Sequence, residues 1–238
     1  MEREIRYILR NFVSSLYVTF IIFISISTAN ANSRKIGPED NNKKDEVSIA
    51  KIYFAGSVNG ETAAELIEAI DDANINYKKL KRIYLYINSY GGGMESGYAA
   101  YWAVKSSRIP VTTVNMGMVM SSASMIFCGA DDRQSLKGGR FILHPASVSL
   151  GNSSYQPDEL ERKRQELDGF NAMFRDVYKE CTKLSEQEIA DLLHAENQRR
   201  FMLNDEARQT GLIAKIADKI MDSSVSYFVT DTVKNTND

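Results

Sequence analysis

From residue 50 to about residue 145 the apolar positions switch repeatedly between two rhythms. Ala50 to Ala55 is a short strand-like run, and Ala63, Leu66, Ile67 and Ile70 then recur at helical spacing. Thr62-x-x-Glu65 reads as a capping box that opens this helix. Lys81 to Ile87 predicts a strand, with Ile83, Leu85 and Ile87 alternating against Tyr84 and Tyr86. A Gly91–Gly93 turn follows, then an alanine-rich helix from Met94 to Lys105. Pro110 opens a strand from Val111 to Met116, a small-residue helix starts near Ser121 and ends before Gly129, and Phe141 to His144 is the next strand. Strand and helix alternating in this way predict an α/β fold of stacked βαβ units around a mostly parallel sheet.

Beyond residue 156 the pattern changes. Pro157 to about Cys181 is highly polar and helical, with Leu160, Leu167, Phe170, Met173, Phe174 and Val177 on one face. It is long and charged for a crossover, and two readings stay open: a protruding helix that meets another subunit, or a plain surface helix. Ser185-x-x-Glu188 caps a further short helix. Ala207 to Gly211 ends in a turn, and Leu212 to Met221 closes the domain. The expected organisation is a signal peptide over 1–31, a polar flexible leader over 32–46, a catalytic domain over 47–222, and a C-terminal tail over 223–238 whose last residues, 232–238, fray.

The front of the chain carries the targeting signal. Arg3, Arg6 and Arg10 precede a mostly apolar stretch from Phe12 to Ile26, and Ala29-Asn30-Ala31 matches the small-x-small cleavage pattern. Ser14, Ser15 and Thr19 interrupt the stretch, which falls short of the ~20 apolar residues of a spanning helix. The expectation is an exported protein, periplasmic or secreted, with no stable membrane span once the signal is cut and a membrane anchor if it is not. Cys128 and Cys181 would then sit in an oxidising compartment. Cys128 lies in an apolar run and Cys181 on a polar helix, so the expectation is that they do not pair.

Composition narrows the class without naming a chemistry. With 43% hydrophobic and 25% charged residues, the chain has the make-up of a globular domain. A net charge of -2 and the lack of a basic stripe argue against a nucleic-acid partner.

One set of small and polar residues does point to a reaction. Gly117-Met-Val-Met-Ser121-Ser122-Ala123-Ser124 places serines where a strand meets a helix, and Arg140-Phe-Ile-Leu-His144-Pro145 follows after that helix. Asn88-Ser-Tyr-Gly91-Gly92-Gly93 lies one strand–helix unit upstream. A serine hydroxyl needs a base within hydrogen-bond reach to act as a nucleophile. It also needs donors aimed at the oxygen that becomes negative. Ser122 can offer a free N–H at the positive end of a helix, and Gly91 and Gly92 let a second N–H approach because no Cβ intervenes. The glycine turn lacks the lysine and spacing of a phosphate-binding loop. The chain has two histidines, and the second, His194, reads as a solvated surface residue.

These segments resemble the proteolytic subunit of the Clp protease, within the Clp/crotonase superfamily. Tyr84-Leu-Tyr-Ile-Asn-Ser-Tyr-Gly-Gly resembles the family's I-N-S-P-G-G run, with Tyr90 where proline is usual. Met116-Gly117 followed by Ser121 resembles its M-G-x-A-A-S segment, and Phe141-Ile-Leu-His144-Pro145 its M-I-H-x-P segment. Arg200-Phe201 through Glu206-Ala207 to Gly211-Leu212 resembles its R-F-L-S-A-x-E-A…Y-G-L-V segment. The resemblance implies a serine peptidase with Ser121 as nucleophile, His144 as general base, the N–H groups of Gly92 and Ser122 as oxyanion hole, and no metal or cofactor. Ser122 and Ser124 are the alternative nucleophiles. It also implies a homo-oligomeric ring that encloses the serines and admits peptides or unfolded chains, with the 157–181 helix joining rings. Export argues against the family's ATP-driven unfoldase partner, since ATP is absent outside the cytoplasm.

One position departs from the pattern. The family's aspartate falls on Arg199, a cation that cannot accept a hydrogen bond from histidine. Asn197 is the expected substitute, with Glu196 and Asp191 as further choices. The departure keeps a non-catalytic assembly subunit in play. So do a signal-peptide-peptidase-like serine/lysine enzyme, in which His144 is incidental, and a crotonase-type acyl-CoA enzyme, which needs no serine nucleophile.

Overall fold

A computed structural model describes residues 34–151 and 154–231. The expected signal peptide and the last residues, 232–238, lie outside these. The first elements are a short strand β1 (Arg34–Ile36) and a one-turn helix α1 (Asn41–Lys44). Three strand–helix units follow: β2 (Ile49–Ala55) with α2 (Gly60–Asn76), β3 (Arg82–Ser89) with α3 (Met94–Lys105), and β4 (Val111–Met120) with α4 (Ser122–Cys128). Strands β5 (Asp132–Leu136) and β6 (Arg140–Leu143) lead to the 25-residue helix α5 (Pro157–Cys181). The chain closes through α6 (Glu186–Leu192), β7 (Arg200–Leu203), α7 (Asn204–Gln209), β8 (Lys215–Ala217) and β9 (Val225–Thr230).

Among the described residues these strands form a nine-stranded sheet in the order β1-β9-β2-β3-β4-β5-β8, with β6 joined to β4 and β7 joined to β6. The β1–β9 and β6–β7 pairings are antiparallel and the others parallel, so the fold is the mostly parallel α/β arrangement expected. Period-two patterning explains the core. Ala50, Ile52 and Phe54 of β2 and Ile83, Leu85 and Ile87 of β3 are buried, as are Ala63, Leu66, Ala69 and Ile70 on the inner face of α2. Each fully buried Leu, Ile or Phe side chain contributes about 1.5–3 kcal/mol.

Strand β4 decides where the chemistry sits. It runs four residues past the expected end at Met116 because Gly117 is part of a bulge inside the strand, not its terminus. Ile87 pairs with Asn115 and Ser89 with Val119, so the β4 side carries extra residues. Asparagine side chains stitch the bulge: Gly117 N–H donates to Asn115 Oδ1 at 2.9 Å and Met118 N–H to Asn88 Oδ1 at 3.0 Å. Before the bulge β4 pairs with β5; after it, Met118 to Met120 pair with Arg140 to Ile142 of β6. The last residues of β4 and β6 therefore run side by side.

Four other expectations change. The box that opens α2 is Asn59 with Thr62, one turn ahead of Thr62 with Glu65. Asn59 Oδ1 accepts from Thr62 N–H at 2.9 Å and Thr62 Oγ1 from Asn59 N–H at 3.1 Å, so Thr62 already belongs to the first turn. The stretch read as leader contains β1 and α1, and β1 pairs with β9. The stretch read as tail contains β9, which lies between β1 and β2 with Val225, Tyr227 and Val229 buried.

The fourth change is a disulfide joining Cys128 to Cys181, with their Cα atoms 5.5 Å apart. Cys181 is not on the polar side of α5. It continues a buried face through Phe174, Val177 and Tyr178, at i, i+3, i+4 and i+7. Only this last part of α5 is buried; Leu160 is exposed. The outer turns are laced by side-chain pairs three or four residues apart, Arg162–Asp158, Lys163–Glu166 and Arg164 with Glu161 and Asp168.

Candidate active site

Ser121 occupies the turn from β4 into α4. Its φ of 55° and ψ of -135° make it the one non-glycine residue with positive φ among the described residues. Such a backbone costs of the order of 1–3 kcal/mol and persists only where neighbours fix it. Here they do. Ser121 N–H donates to Ile142 of β6 at 3.2 Å, and Ser121 C=O accepts from Ser124 N–H at 2.8 Å and Ser124 Oγ at 2.5 Å. The Ser124 hydroxyl also meets Tyr178 of α5 at 2.8 Å, and burial pushes the Tyr178 phenol well above its ordinary range, so it stays a neutral hydrogen-bonding group.

The neighbouring serines are committed elsewhere. Ser124 is engaged as above. Ser122 is fully buried, and a Cβ on Gly97 of α3 would stand 2.8 Å from its Cβ, so its side chain is packed into the α3–α4 contact. Its hydroxyl has no partner there. Ser121 alone of the three is partly exposed.

The glycine turn presses against the same spot. Gly91, at φ 89°, has room for no side chain: a Cβ there would lie 2.5 Å from Ser121 Cβ and 3.1 Å from Ser122 N. The turn is held on its other side by Val58, whose N–H donates to Gly91 C=O at 2.9 Å and whose C=O accepts from Gly93 N–H at 2.7 Å. Ser89 Oγ accepts from Gly91 N–H and donates to Gly56 C=O. In this ladder the N–H of Gly92 is skipped. Neither it nor the N–H of Ser122 donates to any acceptor among the described residues. Two amide donors are therefore unused, one on the residue after Gly91 and one on the residue after Ser121, and an oxyanion hole is built from such donors.

His144 follows directly on β6, beside the end of β4. Asn115 Nδ2 donates to Arg140 C=O at 2.8 Å and fixes the start of β6. Beyond the histidine, Ala146 N–H donates to Asn171 Oδ1 of α5 at 2.8 Å. His144 Nε2 is buried and has no hydrogen-bond partner, so the Ser121–His144 bond is not made in this single chain. Hydrogen bonds of catalytic groups are often unmade or long without substrate.

The other ring nitrogen meets an acidic neighbour, one of the further choices for the orienting group. His144 Nδ1 lies 3.3 Å from Glu196 Oε2, and Asn197, the expected partner, makes no hydrogen bond to it. Glu196 starts the one-turn 3₁₀ helix Glu196–Gln198, and this turn aims position 196, not 197, at the imidazole. Arg199 is also placed: its Nη1 sits 2.9 Å from Glu196 Oε1. A cleft of about 550 Å³ opens here, lined by His144, Leu167, Asp168, Asn171, His194 and Glu196. His194 is exposed at its rim, so the two histidines of the chain share one cleft.

A family model described as Clp protease matches residues 43–220. An ATP-dependent Clp protease proteolytic subunit 2 from Pseudomonas aeruginosa is 29% identical over 174 residues, covering 71% of this chain and 82% of the relative. A protein of the same description from Treponema denticola is 27% identical over 194 residues, covering 80% and 92%. Among solved structures, a point mutant of ClpP1 from Listeria monocytogenes matches with a TM-score of 0.57 at 20% identity, covering 71% of this chain and 91% of that one, which is a likeness of fold. With the family model spanning most of its length, the chain belongs to the Clp protease family.

Proposed function

We propose that the chain is a serine-type endopeptidase that cleaves peptides or unfolded proteins outside the cytoplasm. Family membership supports peptide-bond hydrolysis. The observation that carries the finer reading is the pairing of the strained Ser121 turn with the two unused N–H groups of Gly92 and Ser122.

In this reading Ser121 Oγ attacks the scissile carbonyl carbon while His144 Nε2 takes its proton. Glu196 Oε2 accepts a hydrogen bond from the Nδ1–H of the imidazolium and fixes the ring. The carbonyl oxygen becomes negative between the amides of Gly92 and Ser122. The C–N bond breaks as His144 returns the proton to the departing amine. Water then attacks the acyl-serine by the same exchange, releasing the acid and restoring Ser121.

Export is supported by the amino-terminal pattern of Arg3, Arg6 and Arg10, the apolar stretch and Ala29-Asn30-Ala31, and by the Cys128–Cys181 disulfide, a bond that persists in oxidising compartments. Assembly into a homo-oligomeric ring is supported by the family and by the exposed outer turns of α5. An ATP-driven unfoldase has no place in this reading.

The test is turnover of an unstructured peptide pool by the purified protein, with its assembly state followed by light scattering. Cleavage that falls to background in both Ser121→Ala and His144→Ala, at unchanged assembly state, is the expected outcome. Cleavage that survives His144→Ala points to a lysine base instead. None from the wild-type assembly leaves a non-catalytic subunit.

A further inference from the structure

We infer that Arg199 is a positioning residue for the hydrolytic site: it holds one carboxylate oxygen of Glu196 so that the other faces His144. The inference rests on the peptidase reading and adds a residue that touches neither substrate nor the reacting atoms.

His144 and Glu196 are held unequally. His144 is 12% exposed and anchored on both sides, by β6 and by the Ala146–Asn171 bond. Its partner is not anchored that way: the Glu196 side chain is 58% exposed and has three free torsions. A solvated carboxylate of that kind spends its time among many rotamers unless something holds it. Arg199 is that hold. Its Nη1 is 2.9 Å from Oε1, while Oε2 stands 3.3 Å from His144 Nδ1, so the two oxygens are divided between two partners. Arg199 N–H also donates to Glu196 C=O at 3.2 Å, closing the turn that carries both side chains. Among the described residues the Arg199 guanidinium has no other acceptor.

The other charges around the cleft do not compete for this role. Arg164 and Asp168 of α5 pair with each other at 3.0 Å, and Arg164 also binds Glu161. His194 lines the same cleft and forms no ion pair among the described residues. Glu196 is thus the carboxylate offered to His144, and Arg199 is what keeps it offered.

An exposed pair at i, i+3 contributes little to folding, so Arg199 is separable from stability. The experiment measures kcat and KM on a fluorogenic peptide for the wild type, Ser121→Ala, Arg199→Gln, Arg199→Lys, Glu196→Gln and the Glu196→Gln/Arg199→Gln double variant. Arg199→Gln is expected to lower kcat about five- to tenfold with KM within about twofold of wild type, and Arg199→Lys, which keeps a single N–H contact, to recover to within about twofold. In the Glu196→Gln background, Arg199→Gln is expected to cost nothing further, because the group it positions is gone. An Arg199→Gln kcat within about twofold of wild type, or an equal loss in both backgrounds, overturns the inference while Ser121-dependent turnover keeps the peptidase reading intact. If the wild type shows no Ser121-dependent turnover, the peptidase reading fails first and the role of Arg199 falls with it.

Discussion

Gly91 and Ser121 are packed so closely that a methyl group on the glycine would stand 2.5 Å from the serine Cβ. Gly91 also sits at φ 89°, a conformation that side chains resist. The glycine turn and the serine turn therefore fix each other, and the first prediction follows from that. Gly91→Ala is expected to lower kcat by about a hundredfold or more, because displacing the turn removes the Gly92 amide from Ser121. Stability should fall by about 1–3 kcal/mol. Peptide turnover and a thermal melt check both parts. Normal turnover would mean that the turn is no part of the site.

Glu196 and Asn197 are adjacent in sequence and differ in what they meet. Glu196→Gln is expected to lower kcat about ten- to a hundredfold, less than for a buried orienting carboxylate because Glu196 is half open to water. Asn197→Ala should stay within about twofold of wild type. Kinetics on one peptide substrate separates the two, and the reverse order would restore Asn197 as the orienting group.

The disulfide ties the end of α4, the helix that Ser121 opens, to the end of α5. It closes a loop with a sequence separation of 53. Its removal in a Cys128→Ala/Cys181→Ala variant is expected to cost about 2–4 kcal/mol, chiefly through the unfolded chain. Denaturant unfolding measures the loss. Non-reducing peptide mapping of the wild type should recover the crosslinked pair, and two free thiols would contradict the bond.

A pH dependence is built in where β1 docks. Lys35 lies 2.5 Å from Asp72, and Tyr227 donates its hydroxyl to the same carboxylate. Burial alone would raise the Asp72 pKa, but the bonds from Lys35 and Tyr227 outweigh it and hold the group below the usual carboxylate range. Burial works against the Lys35 cation as well, and the bond to Asp72, with the Tyr77 phenol close by, overcomes it and raises its pKa. The Asp72 contribution is therefore present above the unfolded value of about 4 and fades as pH falls through that range. The Lys35 contribution is present below about 10.4 and fades as pH rises beyond it. The stability gap between wild type and Asp72→Asn should be widest between these limits and shrink once the pH passes beyond either one. A gap independent of pH would show that the pair does not latch β1.

Much of this was legible in the chain because local periodicity and tertiary burial agree. Helix α5 keeps its expected limits, Pro157 to Cys181, and α3 its limits of Met94 and Lys105. Strand β5 was not legible: Asp132-Arg-Gln-Ser-Leu136 is polar, and it is held by side-chain bonds such as Gln134 to Asp132 and Thr112 to Asp132. Strand β9 does alternate, with Val225, Tyr227 and Val229 inward, but it follows Leu212 to Met221, the segment read as closing the domain. At the site, the order of glycine turn, serine turn and histidine segment was readable, but the end of β4 was not, because a bulge carries the strand past Met116. The choice of Glu196 over Asn197 was not, since it depends on the direction of one 3₁₀ turn. The Arg199 position held a signal: an arginine where an acceptor is needed invites a search for the acid it pairs with.

The most direct test is mass spectrometry of the purified protein after treatment with a serine-directed fluorophosphonate, mapping the adduct to one residue. Ser121 is expected to carry it, and His144→Ala to lose it, while Ser122 and Ser124 stay unmodified. An adduct on another serine, or none under conditions that label a control hydrolase, contradicts the account.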